Sequence, residues 1–581
     1  MGPDRLPEND VQILNRGSMH SMQLFLSMIL SCLNVCAPRQ TMLYLANPGA
    51  TASNTQEVSS SSAISSELRA MAAKGQLGNN LGSAGYREQI KRLYESANFA
   101  PLWINGDQPR SQATSLIEIL RASRLKGLNP SDYDAESLAT KSRSVKGASA
   151  AAQASFDAAL TQSTMRYISD LRIGRVNPKH LKFDIDVQSK QYDLPEFIAQ
   201  QVAHAGNVGS VLDQIEPPYA GYRRIENSLK QYLDLAAKGD GAKVPAGTKT
   251  IAPGDTYPGT AQLAERLRLI GDLPQGGSFD SYSGALVEGV KHFQARHGLA
   301  TDGKLDAATL RELNTPLSAR VHQIDDALER WRWMPTEFQQ PPVLVNIPEF
   351  RLRAYSADHQ LALTMNVVVG KAAPTQTPVF TNDIKFIVFR PYWNVPPGIL
   401  RRTVIPGIMK DSGYLAREKF EITDSSGRLV SPSDDLVAGL RSGKYFVRQK
   451  PGPTNALGLI KFMFPNTYSV YLHSTPSTEL FSRSRRDFSS GCIRLEKPAE
   501  LASFLLRNQL DGQQPWTLEL VQKAMDSGKD NRQVNLATKI PVLILYVTAV
   551  AEEDGTVHFF DDIYGHDQRL NAVLAKGPPY P

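Results

Sequence analysis

The chain contains few cysteines, and the familiar metal and nucleotide motifs are missing. Of its 581 residues only three are cysteine, Cys32, Cys36 and Cys492. No Cys-x-x-Cys pair, no His-Glu-x-x-His run and no glycine-rich strand-to-helix loop occurs, which excludes the common zinc, metalloprotease and phosphate-binding signatures. We therefore expect no metal and no cofactor.

Concentrated charge is also missing. The net charge of +6 comes from 64 basic and 58 acidic residues, and no basic run is long enough to indicate nucleic acid as a partner. The densest basic patch is Arg483–Arg486, between His473 and Cys492. Because arginine suits carboxylate recognition, this patch indicates either an anionic substrate site or a solvated loop.

Long apolar runs are limited to the N-terminus, at Met22–Val35. This stretch has the length of a signal-peptide core and falls short of the roughly 20 residues needed to span a bilayer. Small residues at Ala46 and Ala50–Ala52 offer cleavage sites, so residues 1–46 predict a signal segment and export. Two alternatives stay open: an uncleaved N-terminal helix, and a lipid anchor at Ile29–Cys32.

Composition divides the rest of the chain into domains. Residues 47–83 are rich in Ser, Ala, Asn and Gly and predict a flexible linker. Helical periodicity then predicts a mostly helical domain at 84–250. Short helices with glycine at their ends follow at 251–316, and a connecting helix at 317–340.

From residue 341 the apolar period changes to two. Strand-like runs occur at Val343–Ile347, Arg351–Tyr355, Leu363–Gly370 and Lys385–Phe389. Such short, closely spaced strands predict a β-sandwich or a barrel-like core within a domain at 341–575. A Pro-rich and then charged insertion at 396–446 interrupts them and is a candidate lid. The predicted fold class is multidomain α+β.

Cys492 is the candidate nucleophile; the alternative is a buried structural thiol. A thiol needs a nearby base or positive field to act as a nucleophile at neutral pH. His473 ends a strand-like run 19 residues upstream. Gly491 permits a tight turn, and the N–H groups of Gly491 and Cys492, with Ser490 nearby, are the candidate oxyanion hole. Arg494 would favour the thiolate or hold a substrate carboxylate.

These motifs resemble two known families. The run VKHFQARHGLATDGKLDAATLRELN, at 290–314, resembles the peptidoglycan-binding domain type 1 family, a three-helix module. His473 followed by the Ser-Gly-Cys-x-Arg turn resembles the L,D-transpeptidase catalytic domain. Arg448–Asn466 and Phe389–Pro397 resemble the large periplasmic branch of that family. The resemblance covers roughly residues 84–575.

The resemblance implies a mainly β catalytic domain with an inserted capping subdomain, a helical scaffold and the small three-helix module. It also implies acyl transfer: Cys492 attacks a tetrapeptide stem, and an amine of a second stem takes the acyl group, giving a 3,3 cross-link. Further implied roles are catalytic for His473, Gly491 and Ser474, whose carbonyl orients the imidazole, and substrate-binding for Arg494, Ser490, Tyr471 and Asn455. Ser490 departs from the wider family, where many members have histidine.

Peptidoglycan stem peptides are thus the expected partners, with envelope proteins as further acceptors, the periplasm as location and a monomer as the working form. Carbapenem acylation of the cysteine is implied as well. An L,D-carboxypeptidase, an enzyme attaching envelope proteins to the wall, and a non-catalytic wall-binding protein remain alternatives. A cysteine endopeptidase of the cell wall is a further alternative, but such an enzyme places its cysteine before its histidine in the sequence. Here His473 precedes Cys492, which is the reverse order.

Overall fold

The structure, a computed structural model, describes residues 50–78, 84–247 and 249–581. The predicted signal segment, with Cys32 and Cys36, lies outside these residues. Residues 55–581 form one compact unit. Of the other unit, residues 1–54, only the first turn of one helix is described. No helix in the described ranges is long and apolar enough to cross a membrane.

The N-terminal half is helical. Its elements are α1 (Ala50–Ala73), α2 (Ala84–Ser96), β1 (Ile104–Asn105), β2 (Gln108–Pro109), α3 (Ser111–Arg121), α4 (Ala135–Ser144), α5 (Ala150–Ile173), α6 (Leu194–Phe197), α7 (Val208–Asp213) and α8 (Ala220–Lys238). Helix α5 runs through the centre of this bundle, with residues on all its faces buried.

Helix α1 corrects the predicted flexible linker. Residues 50–73 are helical, and Ile64 and Leu68 are fully buried in the core of the helical bundle. These two side chains are four residues apart and therefore share one helix face. The surrounding serines and alanines conceal this anchor in the composition, which is why the linker prediction failed here.

The next module contains α9 (Thr260–Leu269), α10 (Ala285–Arg296) and α11 (Ala307–Leu313), with a small core of its own. Arg296 ion-pairs with buried Asp272, and its Nη1 lies 3.3 Å from the carbonyl oxygen of Val557. The ring of His297 stacks on Phe293. The connecting helix α12 (Leu317–Trp333) packs against α8, and its Asp325 and Glu329 form ion pairs with Arg124 and Arg175 of the helical half. The module is thus seated on the C-terminal part of the chain.

A closed sheet forms the core of the C-terminal half. Its strands are β3 (Val343–Asn346), β4 (Arg351–Tyr355), β5 (Leu361–Gly370), β6 (Phe380–Phe389), β10 (Ile460–Met463), β11 (Leu472–His473), β12 (Asp487–Ser489), β13 (Ile493–Leu495) and β16 (Arg532–Leu545). The order is β12-β5-β13-β11-β10-β6-β16-β3-β4, and β4 pairs again with β5. This second pairing closes the sheet into a barrel, and the four predicted strands are confirmed.

The predicted insertion is a separate small subdomain. It holds β7 (Trp393–Asn394), α13 (Pro397–Ile399), α14 (Ile405–Lys410), α15 (Tyr414–Arg417), β8 (Phe420–Thr423), α16 (Leu436–Ser442) and β9 (Phe446–Gln449). Strands β7, β9 and β8 form their own sheet. A compact apolar core that includes Val404, Ile422 and Leu440 supports it. We call residues 393–449 the inserted subdomain.

The remaining elements cover the barrel. They are α17 (Pro498–Leu506), β14 (Leu510–Asp511), β15 (Gln514–Pro515), α18 (Leu518–Ser527), β17 (Ala549–Ala551), β18 (Val557–Phe559) and α19 (His566–Leu574). Helices α17 and α18 contribute Leu501, Leu505 and Val521 to the barrel core. The hairpin β17–β18 packs on α8 and α12 instead.

Candidate active site

The candidate site lies on the outer face of the barrel, where β11 and β13 run side by side. The two strands are parallel, with Leu472 opposite Ile493 and His473 opposite Arg494. Leu472 and Ile493 are fully buried in the barrel core. Because side chains alternate along a strand, His473 and Arg494 face away from the core. Cys492, two residues before Arg494, joins them on that face.

The imidazole of His473 is oriented by the main chain. Its Nδ1 lies 2.5 Å from the carbonyl oxygen of Ser474, so Nδ1 carries the proton and Nε2 is the basic nitrogen. Ser474 is itself fixed: its hydroxyl oxygen accepts hydrogen bonds from the N–H groups of Leu459 at 2.7 Å and Ile460 at 3.2 Å. The hydroxyl also donates to the carbonyl of Leu457.

His473 is held neutral. It is 4% exposed, and burial, followed by the guanidinium of Arg494, lowers its pKa to about 3. Hydrogen bonds to the carbonyls of Ser474 and Leu457 oppose this shift without cancelling it. At neutral pH the imidazole is therefore uncharged and can accept a proton.

The thiol of Cys492 is half-buried and also neutral. Burial raises its pKa above the ordinary value, whereas hydrogen bonds from the main chain and hydroxyl of Tyr471, and the charge of Arg494, act to lower it. Sγ lies 3.8 Å from the carbonyl oxygen of Ser469. Among the described residues, then, the thiol bonds to Ser469 and Tyr471 and not to His473. Catalytic hydrogen bonds are often unformed without substrate.

The turn before the thiol shows which N–H groups are free. Gly491 has a φ of +116°, which few residues other than glycine adopt. Its N–H donates to the Ser489 hydroxyl at 3.1 Å, so one predicted oxyanion-hole donor is already engaged. Within the described residues the N–H of Cys492 has no acceptor. The Ser490 side chain is exposed beside it.

Arg494 supplies the positive charge of the site. Across the residues that the structure describes, its guanidinium makes no ion pair or hydrogen bond, and its Nε is buried without a partner. Burial lowers the pKa of Arg494, and the neighbouring Cys492 and the carboxylate of Glu479 oppose this shift. An unpaired arginine beside the thiol is suited to binding a substrate carboxylate.

Asn455 corrects the sequence prediction. It is 1% exposed, and its Nδ2 donates to the carbonyls of Pro391, Gln449 and Lys450. Its Oδ1 accepts from the N–H of Leu457 at 2.8 Å. The amide is fully committed, so Asn455 holds the loop before β10 and is not a substrate contact.

Most of the basic patch, Arg483–Arg486, also has a structural role. Arg485 forms a bidentate pair with Asp487, with bonds of 2.7 and 3.0 Å. Arg486 is buried and bonds to the carbonyl of Phe350 and the side chain of Asn366. Buried Arg486 fits neither interpretation of this patch, an open anion site or a solvated loop, whereas Arg485 is exposed to solvent and its charge is paired with Asp487.

The sequence missed three features of this site. Lys461 is opposite His473 in the pairing of β10 and β11, and its Nζ lies 5.9 Å from the centre of the Tyr471 ring. A Cβ on Gly458 would lie 2.1 Å from Oγ of Ser474, so only glycine fits. The third feature is the carbonyl oxygen of Ser469, which lies 3.8 Å from Sγ of Cys492. Alternation in Ile460–Met463 was the signal that could have found Lys461.

No group of three metal-binding side chains exists among the described residues.

Comparisons with known proteins match three parts of the chain. Residues 88–229 match the model of the "Scaffold domain" family, residues 256–313 that of the "Putative peptidoglycan binding domain", and residues 341–535 that of the "L,D-transpeptidase catalytic domain". A Haemophilus influenzae protein named "Putative L,D-transpeptidase" is 34% identical over 230 residues, which is 39% of this chain and 45% of that protein. The matched segment therefore spans under half of that relative.

Two solved structures are also similar. One is the L,D-transpeptidase of Xylanimonas cellulosilytica, 14% identical, covering 52% of this chain and all of that one, with a TM-score of 0.16. The other is a fused Zn-dependent amidase/peptidase/peptidoglycan-binding protein of Clostridium acetobutylicum, which is 11% identical. The match covers 51% of this chain and 99% of that one, with a TM-score of 0.15.

Proposed function

We propose that this protein forms 3,3 cross-links in peptidoglycan by acyl transfer through Cys492, because residues 341–535 match the model of the L,D-transpeptidase catalytic domain. One observation carries the proposal: the parallel pairing of β11 and β13 gives His473, Cys492 and Arg494 a common face. This is the set of groups that thiol-based acyl transfer needs: nucleophile, base and anion-binding cation.

The first step uses the uncharged thiol of Cys492 and the uncharged imidazole of His473. The thiol gives its proton to the free nitrogen of His473, and Sγ attacks the carbonyl at the L-centre of diaminopimelate in a donor stem. The N–H of Cys492, which has no acceptor within the described residues, stabilises the oxyanion. When the tetrahedral intermediate collapses, the C–N bond breaks, the terminal D-alanine leaves with the proton from His473, and a thioester remains.

The second step returns the enzyme to its starting state. The side-chain amine of a second stem attacks the thioester, His473 takes a proton from that amine, and the C–S bond breaks. The proton then returns to the sulfur. Arg494, unpaired within the described ranges, holds a stem carboxylate during both steps.

The small helical module supports peptidoglycan as the substrate, since residues 256–313 match a wall-binding family. We propose the second stem as acceptor; an envelope protein, a D-amino acid or water would use the same thioester. The apolar N-terminal stretch of the sequence supports export to the periplasm, where this substrate lies.

Product analysis tests the reaction. The full chain would be incubated with a disaccharide tetrapeptide, and products would be separated and sequenced by tandem mass spectrometry. A dimer joined between two diaminopimelate residues, with release of D-alanine, is the expected product. A tripeptide monomer alone would show hydrolysis and contradict transpeptidation.

A further inference from the structure

The inserted subdomain carries a basic groove that the reaction described above does not use. It is an open groove of about 560 Å³, within the size range of sites for small ligands. Its lining combines three cations with three apolar residues: Arg401, Lys410, Arg441, Ile405, Pro406 and Met409. Among the residues that the structure describes, no acidic side chain lines it. We call these six residues the basic groove.

The three cations of the basic groove lack ionic partners. Arg401, Lys410 and Arg441 form no ion pair with any residue in the described ranges, and the Nη2 of Arg441 contacts only the sulfur of Met409, at 3.7 Å. All three are exposed. The positive charge is therefore not neutralised by any residue that the structure describes.

Several other cations of the same subdomain are neutralised, whereas exposed Arg402 and Lys419 form no ion pair within the described residues. Arg417 pairs with Asp411 and Arg428 with Asp424, while Lys444 pairs with Asp435. Within the described residues, three of the five unpaired cations of the inserted subdomain therefore lie together in the groove. Such a concentration favours an anionic ligand.

Carboxylates on a short peptide fit this groove better than a lipid surface does. Arginine binds carboxylates in a planar, bidentate geometry, and three cations around a concavity match several carboxylates on one chain. Met409, 64% exposed, is the only large apolar side chain of the groove with high exposure. A membrane-binding face needs a broader apolar surface with several such residues.

We propose that the basic groove binds the acidic stem peptides of peptidoglycan, whose glutamyl and diaminopimelyl residues carry free carboxylates. The inference rests on the proposed function for its choice of substrate, but it concerns a site separate from Cys492. Binding here would hold a neighbouring stem on the inserted subdomain independently of the chemistry at the thiol.

The test measures cosedimentation of the full chain with purified peptidoglycan sacculi. Every protein would carry Cys492→Ala, so that no turnover occurs. One variant adds Arg401→Gln, Lys410→Gln and Arg441→Gln. The matched control adds Arg417→Gln, Arg428→Gln and Lys444→Gln, which removes the same charge from the same subdomain. Sacculi whose carboxylates have been converted to amides, and phosphatidylglycerol vesicles, are the comparison ligands.

Each exposed ion pair is worth at most about fivefold in affinity, so the groove variant is expected to bind roughly ten- to a hundredfold more weakly. The control should bind like the parent, and amidation should weaken the parent but not the groove variant. Equal binding by parent and groove variant would overturn the proposal, as would a preference for vesicles over sacculi. Neither outcome bears on acylation of Cys492, which is measured separately.

Discussion

The carbonyl oxygen of Ser474 accepts a 2.5 Å hydrogen bond from Nδ1 of its neighbour His473. This contact fixes the tautomer of the imidazole without a side-chain carboxylate, because the acceptor is the main chain. The hydroxyl of the same serine anchors that carbonyl by binding two N–H groups at the start of β10. One residue therefore links the position of the base to the barrel.

Ser474→Ala should separate stability from catalysis. The change leaves the N–H groups of Leu459 and Ile460 without their hydroxyl acceptor, at a cost of ~1–3 kcal/mol for each buried group. We expect the free energy of unfolding to fall by about 2–6 kcal/mol. The acylation rate well below the melting temperature should change little, because the carbonyl remains.

Urea unfolding and acylation kinetics would check this pair of outcomes. Ser482→Ala is the control, since that hydroxyl is exposed and bonds only to a nearby carbonyl; it should alter stability by less than about 0.5 kcal/mol. A stable Ser474→Ala protein with a large loss of rate would show that the hydroxyl acts in catalysis.

Tyr471→Phe should slow acylation by raising the pKa of the Cys492 thiol further. The Tyr471 hydroxyl bonds to the thiol and acts to lower that pKa, and a bond to a charged group is worth ~1.5–3 kcal/mol. We expect a rate loss of about tenfold or more at neutral pH, shrinking as pH rises.

The pH profile of the acylation rate constant distinguishes this role from packing. The control is Tyr468→Phe, because Tyr468 packs on Phe380 and bonds to Asp184 rather than to the thiol. A Tyr471→Phe loss that is equal at every pH would argue for a purely structural role.

The free enzyme should contain a protonated thiol. Burial raises the pKa of Cys492 and lowers that of His473 to about 3, so neither group is charged near neutrality. Alkylation of Cys492 by iodoacetamide, followed by peptide mapping, should accelerate continuously as pH rises, because only the thiolate reacts. A plateau in the rate between about pH 6 and 8 would indicate a thiolate–imidazolium pair instead.

The sequence predicted the pair of Cys492 and His473 because their signal is local: a strand-ending histidine and a glycine-containing turn with a characteristic neighbour set. It also predicted the short strands, since alternation is visible within each of them. Closure of the barrel was not visible, because it depends on which distant strands pair, such as β5 with both β4 and β13.

Asn455 and Arg486 show why other site predictions failed. Both are polar residues in conspicuous motifs, and both are buried with their polar groups bound to carbonyls of nearby loops. The sequence alone does not distinguish a polar side chain that holds a loop in place from one that binds a substrate. Only the positions of the surrounding carbonyl groups separate them, and those come from the folded chain.

Intact-mass spectrometry after incubation with a disaccharide tetrapeptide or a carbapenem tests the central claim most directly. The folded wild-type chain should gain the mass of one acyl group, mapped to Cys492, and Cys492→Ala should gain none. Absence of an adduct on well-folded wild-type protein, or an adduct that persists in Cys492→Ala, would contradict the assignment of Cys492 as the nucleophile.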